Sequence, residues 1–264
     1  GEDVDYPKIE LLREEDRENK PYLLFTIYDE DGEEIRKMIE SPKLGVNRIV
    51  WNFRLTAQSN IQLKSSSPGR YGEANKGPLA LPGNYYVSMH KVHNDQMTLM
   101  VEKTPFKCNW LDQLSTPANN KIVLLDFQKR VDRLRKAVDA AGKVIGEDKQ
   151  RLDFIKAAFK TYPGLDLSYL SNLQKLETDR DQIHIKLYGD PSLSNRDIEQ
   201  KDPIASKVGI IIWNMWRNRS NPTGTNQMLY ETASNHFQEV IYQLQELDNE
   251  IKIIEDYLEQ NEVP

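Results

Sequence analysis

From residue 7 to about residue 107 the chain alternates apolar and polar positions in short runs, the two-residue period of β-strands. Residues 22–28 are rich in β-branched and aromatic side chains and stop at the turn sequence Asp29, Glu30, Asp31, Gly32. The alternation resumes over 33–39, which predicts a hairpin. Residues 45–54 place Asn47, Ile49, Trp51 and Phe53 on one face of a predicted strand and Val46, Arg48, Val50, Asn52 and Arg54 on the other. The face with two aromatic rings is the expected core face. Pro82 and Gly83 suit the centre of a type II turn leading into a strand, and residues 97–101 and 104–107 supply two last strands after a turn at 93–96. Residues 56–77, rich in Ser, Gly, Asn and Pro, predict a long exposed loop. Short antiparallel strands with no helix among them predict an immunoglobulin-like β-sandwich over residues 1–110.

Past Trp110 the period changes. From Leu124, the positions Phe127, Val131, Leu134, Val138, Ala141, Ile145, Asp148, Leu152, Ile155 and Phe159 follow in steps of three and four, a heptad seam whose single polar member is Asp148. Gly142 and Gly146 lie beside Asp148. Each costs about 1 kcal/mol of helix propensity relative to alanine, so a bend or break is expected there. Tyr162, Pro163 and Gly164 end this helix, and Asp166 or Ser168 caps the next. The second seam is Leu173, Leu176, Arg180, Ile183 and Leu187, stopped by Gly189, Asp190 and Pro191. After a polar linker, 192–202, Pro203 opens a third helix carrying Ile204, Val208, Ile211, Ile212 and Met215, interrupted at Asn221 and Pro222. A last helix repeats the step through Tyr230, Ala233, Phe237, Val240, Leu244, Leu247, Ile251, Ile254 and Leu258. The expected fold class is therefore α+β in two separate domains, the sandwich followed by an antiparallel helical bundle with long heptad-patterned helices over 111–264. Such seams close a bundle within one chain or join two chains as a coiled coil, so a homodimer through the helices stays open.

A length of 264 residues suits two cores. The net charge of -6 is spread along both halves, which argues against a nucleic-acid or anionic-lipid surface. The single cysteine, Cys108, excludes an intrachain disulfide and a thiolate zinc site. No apolar run approaches the roughly 20 residues of a membrane helix, so no membrane insertion is expected. Gly1 reads as a cloning remnant, with any signal peptide or upstream domain expected outside these residues.

His90 and His93 would share a side on a helix, but on a strand they point to opposite faces and read as surface histidines. The acidic run 29–34 lacks the ligand spacing of a calcium loop and reads as a solvated turn. No nucleotide-binding glycine loop, nucleophile motif or perturbed carboxylate pair stands out, so no catalytic residue, cofactor or metal is expected. Trp213 and Trp216, three apart on a helix, suit a sugar-stacking or partner-docking platform, with bundle core the favoured reading. Tyr71, in the long loop, and Tyr85 are candidate exposed aromatics for a glycan, whereas Trp51 reads as core.

Three segments taken in order resemble the C-terminal region of bacterial sortilin-like proteins, the glycosyl hydrolase family with BNR or Asp-box repeats. They are Phe-Thr-Ile-Tyr-Asp from Phe25 with Gly32 and Arg36, Gly-Val-Asn-Arg-Ile-Val-Trp-Asn-Phe-Arg from Gly45, and Leu-Pro-Gly-Asn-Tyr-Tyr-Val from Leu81. Leu-Tyr-Gly-Asp from Leu187 and Asn-Pro-Thr from Asn221 extend the likeness. Where the family commonly continues with Asp-Pro-Arg, this chain reads Phe-Lys-Cys-Asn-Trp from Phe106. The resemblance implies an upstream β-propeller of the same parent chain that would carry any hydrolytic site, and an extracytoplasmic setting, periplasmic or cell-surface. The expectation is a noncatalytic accessory or interaction module, with a carbohydrate-binding module as the alternative.

Overall fold

The computed structural model describes residues 8–57, 77–109, 118–216 and 219–263. Their contacts divide the chain into two units, residues 1–56 with 79–113 and residues 57–78 with 114–264.

In the first unit, strands β1 (Tyr22–Tyr28) and β2 (Glu34–Glu40) form the expected hairpin. Its turn closes because Asp29 Oδ1 accepts from the backbone N–H groups of Asp31, at 3.2 Å, and Glu33, at 2.9 Å, while Gly32 takes a φ of 86°. Strand β3 (Gly83–His93) pairs with the other edge of β1, and β4 (Gln96–Cys108) pairs with β3. The result is one antiparallel sheet in the order β2-β1-β3-β4. Asn94 and Asp95 both have positive φ, 46° and 60°, which makes the β3–β4 turn a tight two-residue reversal.

Four sequence expectations fail in this unit. Residues 9–17, inside the stretch from residue 7 read as short strands with no helix among them, form helix α1 (Ile9–Arg17), whose Glu and Arg residues favour helix and none of whose side chains is buried. Residues 45–54 do not form a strand; Arg54 alone bridges, to Leu79. The Asn47 side-chain amide donates to the carbonyls of Lys43 and Gly45 and curls the segment. Farther on, Phe53 sits at φ 58°, a left-handed conformation that ends any alternation of faces. Gly83 is the first residue of β3, paired with Cys108, and lacks the positive φ that a type II turn at Pro82-Gly83 requires. The two last strands are one 13-residue strand, β4, accommodated by register shifts opposite Val87, Met89 and His90.

The second unit is helical. Helix α2 (Lys121–Thr161) starts where the Asn120 side chain accepts from the N–H groups of Ile122 and Val123. It ends at Tyr162, just before Gly164 takes a φ of 87°. The break expected at Gly142 and Gly146 is absent: α2 runs unbroken for 41 residues. Gly142 is where Tyr188 crosses the helix. A Cβ there would lie 2.0 Å from the tyrosine Oη, which donates to the Val138 carbonyl at 3.4 Å. The propensity cost of that glycine is set against a close tertiary approach.

Helix α3 (Tyr169–Tyr188) follows a turn in which Asp166 Oδ1 accepts from Ser168 N–H, and Gly189 at φ 89° stops it. The polar linker contains one short turn of helix, α4 (Pro191–Ser194), capped by Asp190. Helix α5 (Ile204–Met215) begins after Pro203, and α6 (Gly224–Gln260) begins where the Thr223 side chain accepts from Asn226 N–H. Contacts of Phe127 with Tyr230, Arg151 with Glu255 and Phe159 with Tyr257 show α2 and α6 running parallel. Those of Lys156 with Glu177 and Val138 with Tyr188, and of Lys175 with Glu250 and Lys186 with Gln243, show α3 running opposite to both.

Every seam position anticipated on α2 is buried in this chain's own bundle, Asp148 included. So are all those of α5, those of α3 except Arg180, and those of α6 except Tyr230, which packs half-buried against the core. Burial of so many Leu, Ile, Val and Phe side chains, each contributing about 1.5–3 kcal/mol, is what holds the long helices in register.

Candidate interaction surfaces

The two units present different surfaces. In the sheet, β1 is covered on both faces: Ile27 is 1 % exposed and its neighbour Thr26, which points the opposite way, 2 %. The edge strands differ. The outer strand β2 carries Glu34, Arg36, Lys37 and Glu40, and its Ile35 carbonyl accepts from the Thr56 N–H and hydroxyl, at 2.9 Å each. Strand β4 leaves Met97, Leu99, Met100 and Val101 exposed, with no charge before Glu102. Edges without charges invite pairing or covering.

Of the aromatic candidates, Tyr71 lies outside the described residues. Tyr85 is not exposed: it is 6 % accessible, stacks on Phe106 with centroids 5.9 Å apart, meets Trp51 edge-on at 5.5 Å and donates to the Leu81 carbonyl at 2.6 Å. Burial pushes its hydroxyl up to about 12. The expectation of an exposed ring fails because Trp51, which belongs to no strand, and Phe106 pack against Tyr85. Trp216 is 1 % exposed and belongs to the bundle core, whereas Trp213 is 42 % exposed. Three residues separate them by roughly 60° around a helix of 3.6 residues per turn. The boundary of the buried face, defined by Val208, Ile212 and Met215, falls between them. They therefore do not form a shared platform.

His93 Nε2 lies 2.9 Å from Glu18 Oε1 at the surface, tying the end of α1 to the β3–β4 turn, and Asn19 N–H donates to Asn94 Oδ1 at 3.3 Å. Among the described residues no three His, Cys, Asp or Glu side chains converge as a metal-ligand set, and no helix is long and apolar enough to cross a membrane.

The bundle holds charge where the sequence suggested an isolated interruption. Arg151, on α2, donates Nε and Nη2 to both carboxylate oxygens of Glu255 on α6, at 2.8 and 2.7 Å. Its Nη1 reaches Asp248 at 2.6 Å and Asp148 at 3.0 Å. This fork against a carboxylate is the geometry at which arginine excels. It holds the guanidinium charged more firmly than usual, first through Glu255. Burial raises the Asp148 carboxyl above the ordinary range, and its Oδ2 has no hydrogen-bond partner among the described residues. Asp132 and Arg135 form a second buried pair on α2, 2.8 Å apart, beside Gln128, whose amide donates to the Met215 carbonyl on α5 at 2.9 Å. Sequence reasoning passed over Arg151, Asp132 and Arg135. The available signal was their placement one turn from, or adjacent to, seam positions Asp148, Val131 and Leu134.

A cavity of about 490 Å³ opens between the end of α3, the 190–203 connection, α5 and α6, lined by Lys186, Asp190, Gln200, Lys207, His236 and Glu239. Its cations and carboxylates are mixed, which favours no single ligand charge. No family model, curated protein or solved structure matches this chain.

Proposed function

We propose that the chain is a noncatalytic interaction module from the C-terminal part of a larger sortilin-like protein, packing by burial of complementary surface against an upstream propeller of its parent. The carrying observation is the asymmetry of the sheet, one edge charged and partly covered and the other, β4, apolar and uncovered over Met97, Leu99, Met100 and Val101. Coverage of β1 on both faces supports placing the sheet in an immunoglobulin-like sandwich. An extracytoplasmic setting accords with the same family resemblance. Cross-linking followed by mass spectrometry on the full-length parent tests this: Lys91, Lys103 and Lys107 should link to the propeller. Links confined to the 264 residues, or glycoside turnover by the purified chain, would overturn it.

The alternative, a carbohydrate-binding module, now leans on Trp213, the one aromatic candidate shown exposed among the described residues. A glycan array separates the readings, because loss of a bound glycan in Trp213→Ala would favour the second and absence of any bound glycan the first.

A further inference from the structure

The cavity of about 490 Å³ in the helical unit falls in the size range of small-molecule sites. Its wall is fixed by bonds along the connection between α3 and α5. Gln200 Oε1 accepts from the Asp190 N–H at 2.8 Å, and its Nε2 donates to Ser194 Oγ at 2.8 Å. This amide lies so close to Gly189 that a Cβ there would stand 3.1 Å from Oε1, and Gly189 itself holds a φ of 89°. A wall held in this way loses little freedom when a ligand arrives.

The polar groups around the cavity divide into those already engaged and those left over. Asp190 Oδ1 accepts from the Ser192 N–H at 2.8 Å, Asp202 Oδ1 accepts from the Ser206 hydroxyl at 3.4 Å, and Lys186 Nζ donates to Gln243 Oε1 at 3.0 Å. Lys207 Nζ donates to the Asp202 carbonyl. Lys201, His236 and Glu239, exposed at the rim, have no hydrogen-bond or ion-pair partner among the described residues. His236 and Glu239 stand one turn apart on α6 without pairing with each other. What remains is an ammonium and an imidazole beside one carboxylate, over a floor of Ile185, Leu193 and Ile204. An anion alone would meet Glu239 and a cation alone would meet Lys201, whereas a molecule carrying both charges on an aliphatic body suits the rim and covers the floor.

We propose that this cavity binds a small aliphatic zwitterion, a free amino acid or a dipeptide, with its carboxylate on Lys201 and His236, its ammonium on Glu239 and its side chain on the apolar floor. The site goes beyond the interaction reading and draws only on the helical unit.

Isothermal titration calorimetry of the whole chain tests it with L-leucine and glycyl-L-leucine, beside isocaproate, which is leucine without its ammonium, and isoamylamine, which is leucine without its carboxylate. At least one zwitterion should bind with a dissociation constant of about 1 mM or tighter, and isocaproate and isoamylamine at least about tenfold more weakly. Which of the two zwitterions binds tells a free amino acid from a peptide. Glu239→Gln should weaken the zwitterion at least about tenfold and leave isocaproate no weaker, whereas Lys201→Gln should weaken both. Both side chains are exposed, so helical circular dichroism should not change. Dissociation constants weaker than about 1 mM for both zwitterions, isocaproate binding as tightly as they do, or a zwitterion indifferent to both substitutions would overturn the proposal. None of these results touches the cross-linking test of the propeller contact, so the two ideas fail separately.

Discussion

The helical unit and the strand unit draw their stability from different amounts of buried surface. The bundle buries Leu173, Leu187, Val131, Ile211, Ala233, Val240 and Ile251 completely, and its cluster runs the length of α2, α3, α5 and α6. The sheet's own cluster consists of Ile27, Ala80, Tyr85 and Cys108, extended by half-buried Ile35, Met38, Trp51, Leu55, Val87 and Phe106. The small sheet core lies beside an exposed apolar strand, whereas the bundle, filled by its own chain, exposes charged faces with scattered apolar side chains such as Ile122, Phe154 and Tyr242. The same difference separates a residue whose removal opens a cavity from one whose removal changes only what the protein meets.

The largest effect is expected of Leu173→Ala, which should cost about 2–5 kcal/mol and lower the melting temperature of the helical unit, read by circular dichroism at the helical minimum. A loss under about 1 kcal/mol would mean the bundle is not closed around that layer. Gly142→Val comes next. Its side chain enters the space held by Tyr188, at a cost of about 1–3 kcal/mol, and Tyr188→Ala in the same chain should recover part of that loss.

Arg151→Ala leaves Asp148, Asp248 and Glu255 facing one another without their shared cation. Because Arg151 is about a third exposed, solvent screens the effect, and a loss of about 1–2 kcal/mol is expected from urea unfolding. Asp148→Asn should be smaller and of opposite sign in its pH dependence. Burial raises the folded pKa of Asp148 above its unfolded value, so its protonated form favours the fold. That contribution is fully present below the unfolded pKa and is lost as pH rises through the raised folded pKa. The asparagine variant should therefore gain relative to the wild type on the neutral side of the carboxylate range and lose that advantage in acid. An unfolding series across that range would expose the reverse sign. Smallest of all, Leu99→Lys on β4 should change the stability of the isolated chain by less than about 0.5 kcal/mol.

Sequence periodicity found the helices because a bundle repeats one demand every three or four residues, and a single apolar stripe meets it. It could not foresee that Gly142 accommodates Tyr188, since no local signal links residues 46 positions apart. In the strand unit the pattern located β1, β2 and their turn, where Asp29 and Gly32 impose local chemistry. It misassigned residues 45–54, whose alternation suits a strand but whose backbone finds no ladder among the described residues apart from the Arg54 bridge. The aromatic candidates failed for a related reason: residue type shows that a ring wants burial or a ligand, and tertiary packing alone decides which, as Tyr85 and Trp213 illustrate.

Amide hydrogen exchange measured residue by residue on the free chain addresses the contrast between a self-filled bundle and a sheet with a bare edge most directly. Amides of α2 across Gly142 and Gly146, and those around Leu173 to Leu187 and Val240 to Leu258, should exchange only through global opening of the helical unit, while the β4 amides facing away from β3 exchange orders of magnitude faster. Fast local exchange in the middle of α2, or equal protection of both sides of β4, would contradict the account.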